Sequence, residues 1–109
     1  MDPLKRLIEL LSAQGVVAHR KMYDYLAKEA ERKFKEATLI NEANGSSQAE
    51  KVTLAQGSKD WLVFHQELAK LEARYKLEMF KLKVLELEFQ ATYLSQKQDG
   101  KDIQRGAES

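Results

Sequence analysis

The sequence contains no cysteine. Disulfides, thiolate chemistry and cysteine-based zinc sites are therefore excluded. Proline occurs once and glycine five times in 109 residues, so little interrupts long helices. Long apolar runs are also missing. The longest is Trp61-Leu62-Val63-Phe64, well short of the ~20 residues that a bilayer-spanning helix needs. No signal peptide is read, because Glu9 interrupts the first apolar segment and no cleavage site follows. Charge of one sign is scarce as well: 18 basic residues against 17 acidic ones leave +1, so any electrostatic message lies in their arrangement. These absences point to a soluble, cytoplasmic protein of one small domain with no membrane partner.

Enzymatic equipment is lacking. The only histidines, His19 and His65, fall on different predicted helices, and neither has an acidic residue at the spacing of a helical metal pair. Glu86 and Glu88 are two apart and so do not face each other on a helix. There is no phosphate-cradling glycine loop and no nucleophile elbow. The chain is expected to be no enzyme and to need no metal or cofactor.

What is present is helical patterning. Asp2 is suited to cap a first helix whose first position is Pro3. Leu4, Ile8, Leu11, Gly15, Ala18, Met22, Leu26, Ala30, Phe34 and Ala37 recur in steps of three or four and form one stripe. The reading is a helix over about 3–43, with Gly15 the one position where it could kink. Asn44-Gly45 ends it with residues that tolerate left-handed backbone. Ser47 and Glu50 fit a capping box for a short helix over about 48–56, closed by Gly57. Ser58 and Asp60 open a last helix over about 59–96. The fold class is thus all-α: residues 1–96 form a long antiparallel helical hairpin with a short connecting helix, and 97–109 a polar disordered tail.

The last helix is apolar twice over. Trp61, Phe64, Leu68, Leu71, Tyr75, Leu82, Leu85 and Phe89 make one heptad stripe, interrupted only by Glu78. Ala73, Leu77, Phe80, Val84, Leu87, Ala91 and Leu94 make another, about 200° away around the helix. The first helix can cover one stripe and nothing comparable is left for the other. A homo-oligomer joined through Leu77, Phe80, Val84, Leu87, Ala91 and Leu94 is therefore expected.

On the first helix, Lys21, Lys28, Arg32 and Lys35 fall within about 60° of one another. They lie opposite the apolar stripe, with Tyr25 near them. Together with Lys33 they are candidate contacts for single-stranded nucleic acid, the lysines and Arg32 on phosphates and Tyr25 stacking on a base. A solvated helix face explains the same residues, with Asp24, Glu29, Glu31 and Glu36 interleaved.

Three segments carry a family resemblance: Ala27-Lys28-Glu29-Ala30-Glu31-Arg32-Lys33, Glu50-Lys51 followed by Leu54, and Ser58-Lys59-Asp60-Trp61-Leu62. Over about Gln14–Ser95 the chain resembles the recombination mediator proteins of T-even-type phages (the UvsY family). The resemblance implies a ring-like oligomer in the host cytoplasm that binds single-stranded DNA and helps load a recombinase. It also places the DNA-contacting segment near Lys28, Arg32, Lys33 and Lys35. Asp2–Ala13 and Lys97–Ser109 lie outside it. The rival expectation is a helical protein-interaction module (inhibitor, adaptor or phage assembly component) that binds no nucleic acid.

Overall fold

The structure, a computed structural model, describes the backbone of residues 2–108 and the side chains of residues 2–100. Four helices follow one another: α1 (Pro3–Ala30), α2 (Arg32–Glu42), α3 (Gln48–Gln56) and α4 (Lys59–Glu108), with no strand among the described residues. The all-α reading holds, and so do the α3 bounds and the start of α4.

The helix starts follow their capping chemistry. Asp2 Oδ1 accepts from the Leu4 N–H at 3.0 Å, satisfying one of the donors a helix start leaves open. Ser47, in extended backbone, accepts from the Glu50 N–H at 3.1 Å. The return half of the capping box is shifted by one residue. The Glu50 carboxylate takes the Ser46 N–H at 3.2 Å and the Ser46 hydroxyl at 2.6 Å. These donors, the hydroxyl first, hold the Glu50 carboxyl below its ordinary pKa. Ser58 both closes α3 and opens α4: its hydroxyl donates to Ala55 O at 2.7 Å and accepts from the Trp61 N–H at 3.2 Å.

Three expectations about helix ends change. First, the helix expected over 3–43 divides at Glu31 and not at Gly15. The Glu31 N–H bonds Lys28 O, three residues back, at 3.1 Å, so one turn tightens where no glycine or proline stands. α1 runs through Gly15 unbroken, and a Cβ built there meets nothing within 4 Å. Gly15→Ala should therefore raise thermal stability by about 1 kcal/mol; a fall in melting temperature would show that the backbone there is not an ordinary helix.

Second, Gly45 is required for closeness rather than for handedness. No residue has positive φ among those described, but a Cβ at Gly45 would stand 2.8 Å from Lys51 N and 3.0 Å from Lys51 Cγ. The turn between α2 and α3 folds tightly onto the first turn of α3. Gly45→Ala should cost upward of ~1 kcal/mol, read as a lower urea midpoint. An unchanged midpoint would mean that the turn relaxes freely. Third, α4 continues to Glu108, past the end expected near Gln96. Residues 97–108 contain no proline, and most favour helix enough to propagate one already nucleated.

The chain divides into two compact units, residues 1–18 with 77–109, and residues 19–76. In the second unit the later part of α1 runs antiparallel to the start of α4. Tyr25 lies against Tyr75 with ring centroids 5.0 Å apart, and Lys28 meets Glu67 at 3.1 Å. Leu39 of α2, Ala55 of α3, and Phe64 and Leu68 of α4 are its buried apolar residues. In the first unit the start of α1 is antiparallel to a later stretch of α4. Gln14 Nε2 donates to the Glu78 carboxylate at 2.7 Å and to Glu78 O at 2.9 Å, while Leu7 and Leu10 share a cleft with Glu88.

Candidate interaction surfaces

Along α4 the inward positions are Trp61, Phe64, Leu68, Leu71, Tyr75, Glu78, Leu82, Leu85 and Phe89, all buried or half-buried. This is the heptad stripe expected from the sequence, with Glu78 a member of it rather than a gap. A strict seven-residue repeat keeps such a stripe aligned with a partner helix.

On α1 the inward face matches the expected stripe only in part: Leu4, Leu11, Gly15, Ala18 and Met22 are buried or half-buried, and the later members leave it. Leu4, Leu7, Leu11, Gln14, Ala18, Lys21, Tyr25 and Lys28 are buried or half-buried in strict heptad spacing, with Gly15, Met22 and Glu29 half-buried beside them. Ile8, Leu26 and Phe34, read as packing residues, are 51%, 52% and 78% exposed. The expected stripe averages more than 3.5 residues per step, so it drifts around the helix and leaves the seam. The true seam is harder to see because its later members are amphipathic. Tyr25 lays its ring against Tyr75, Lys28 reaches over Phe64, and Lys21 is half-buried.

That phase relocates the nucleic-acid candidates. Lys28 does not project opposite the packing face as expected. Its Nζ sits 4.8 Å above the Phe64 ring and 3.1 Å from Glu67, and its side chain is only 24% exposed. Tyr25 faces Tyr75. Its hydroxyl is held above the ordinary tyrosine pKa by partial burial first, then by the nearby carboxylates Glu72 and Glu29. Lys21 is half-buried. Arg32 Nε pairs with Glu29 at 3.1 Å. Lys33 is exposed, and Lys35 lines an open cleft of about 510 Å³ with Lys28, Phe34, Phe64, Glu31, Asp60 and Glu67. Three carboxylates against two ammonium groups make that cleft a poor host for a polyanion.

The second stripe of α4 lies where the sequence reading put it, facing away from α1. Leu77 is 52% exposed, Phe80 65%, Val84 37%, Leu87 52% and Leu94 62%, and Ala91 is exposed beside them. The positions bordering this stripe carry charge. Lys81 pairs with Glu78 of its own helix at 3.1 Å, Lys83 approaches Glu86 at 3.9 Å, and Glu88 is exposed. Gln14 carries no role in the sequence reading, and Glu88 enters it only as half of a carboxylate pair that a helix does not bring together. The signal that finds both is their heptad position, one inside a seam and one at the edge of another.

Among the described residues, no group of three or more His, Asp or Glu side chains could hold a metal ion, and no helix is long and apolar enough to cross a membrane. The Nε2 of His65, wedged edge-on against Trp61 and Phe64, is buried without a hydrogen-bond partner. No protein-family model, curated protein or solved structure matches the chain.

Proposed function

We propose that the protein is a non-enzymatic helix-docking module whose working surface is the outer face of α4. One observation carries this reading. Five large apolar side chains, Leu77, Phe80, Val84, Leu87 and Leu94, line one side of a helix whose other side is already engaged. Each would gain about 1.5–3 kcal/mol from full burial, and a contiguous apolar strip of this kind marks an interaction site. The strip repeats every seven residues over three turns or more, so its natural complement is another helix.

The single-stranded nucleic acid reading, with its recombinase partner, draws less support. Of its six residues, Lys21, Tyr25 and Lys28 are on the packing side, Arg32 is paired, and carboxylates surround Tyr25 and Lys35. Lys28 is also a poor residue to substitute in a binding test, because it packs.

The double substitution Phe80→Glu with Leu87→Glu tests the docking surface. Both side chains lie outside the α1 seam, so helicity by circular dichroism should persist. Wild-type protein should show this face either occupied, as a sedimented mass above 12.5 kDa, or open, as fluorescence of a bound apolar dye. The variant should lose whichever signal the wild type gives. A variant indistinguishable from wild type in both measurements overturns the reading. Labelled single-stranded DNA should show no salt-sensitive binding; binding that weakens steeply with salt and is lost in Arg32→Ala with Lys33→Ala would favour nucleic acid instead.

A further inference from the structure

The outer stripe of α4 is matched to its own reverse. Its members, Leu77, Phe80, Val84, Leu87, Ala91 and Leu94, alternate in steps of three and four residues. Consider a second copy of the helix laid antiparallel against it, with the twofold axis passing between Leu85 and Glu86. Leu77 then lies opposite the partner's Leu94, Val84 opposite the partner's Leu87, and Phe80 opposite the partner's Ala91. Every member of the stripe gains a partner, and its largest side chain meets its smallest. A parallel pair would instead stack Phe80 on the partner's Phe80 and leave facing alanines at position 91, crowding one layer and hollowing another.

The borders of the stripe agree. In the antiparallel arrangement Lys81 lies beside the partner's Glu88, and symmetry makes this contact twice. Both side chains are exposed in the single chain and both stand at the edge of the stripe. Parallel pairing would set Lys83 beside the partner's Glu88, so charge is satisfied in either direction and shape decides. We infer that the occupant of this surface is a second copy of the chain, paired antiparallel through α4 in this alignment. The inference rests on the docking reading above and names the partner it leaves open.

The absence of native cysteine makes the test direct. Leu77→Cys and Leu94→Cys are prepared as separate full-length chains, one carrying a size tag, and oxidised alone and mixed. The antiparallel pair predicts a disulfide in the mixture only, because two copies of either cysteine would lie about 25 Å apart along the axis. The sedimented mass of the unmodified chain should be twice 12.5 kDa. Disulfides within each separate variant and none between them would mean parallel pairing and overturn the proposal. So would a mass greater than a dimer. A monomeric mass with no disulfide in any sample would overturn self-pairing while leaving the docking surface to be judged by dye binding, so the two failures are distinguishable.

Discussion

Phe64→Ala should lower the unfolding free energy by about 3–5 kcal/mol, the range for deleting a buried aromatic side chain. Phe64 is 4% exposed and is the largest of the few buried residues. Trp61 lies along it at 6.0 Å with rings 13° from parallel, and His65 meets it edge-on at 5.8 Å. Truncation removes the lost ring's transfer energy, leaves a cavity, and takes away the face over which the Lys28 ammonium is held. In a chain whose total stability is expected near 5–15 kcal/mol, that loss is severe. Urea unfolding followed by helical circular dichroism would measure it, with Phe64→Leu as a control that keeps most of the volume. A loss below ~1 kcal/mol for the alanine variant would show that the site refills or is wetter than its burial indicates.

The second large effect is expected from adding volume. Ala18 is fully enclosed, at 0% exposure, at a seam position of α1. Solvent does not reach its methyl, so any added volume must displace the groups that cover it. Ala18→Leu should force off-rotamer packing or push the helices apart, at a cost of about 1–3 kcal/mol. Thermal unfolding would report it directly. A stabilised variant would mean instead that the seam has room to take a leucine, contrary to the observed enclosure.

Much of this architecture was legible because its signals are local. Ser47, Gly57 and Ser58 mark the ends of α3 and the start of α4 by capping chemistry, and the structure follows them to the residue. The stripe from Trp61 to Phe89 was equally legible, since nearly every member is aromatic or leucine. The α1 seam was legible only in part, through Leu4, Leu11 and Ala18. Gln14, Lys21 and Lys28 are polar by type and pack by geometry, while Ile8, Leu26 and Phe34 are apolar by type and sit outside. Residue type decides burial only when a neighbour is available, and no periodicity in α1 alone says where α4 will lie. The same limit applied to the candidate site. The outer face of α4 could be read as uncovered from its spacing, but the phosphate-facing role given to Lys28 depended on a helix phase that the cation–π contact with Phe64 contradicts.

The pairing of Gln14 with Glu78 bears on how the hairpin is found as well as on how it is held. A seam built only of leucines on a seven-residue repeat would pack nearly as well after sliding by one repeat, giving a misfolded competitor of similar energy. Here such a slip carries a penalty in its own core. Displaced one way, the Glu78 carboxylate, with its side chain 16% exposed, would be driven against Leu7; displaced the other way, Gln14 would lose its acceptor and face Leu85. A half-buried charge facing leucine costs far more than the methylenes around it can return. The polar layer therefore opens an energy gap between the native hairpin and its nearest imitation, and it steers the chain away from a trap that a more hydrophobic seam would have left open.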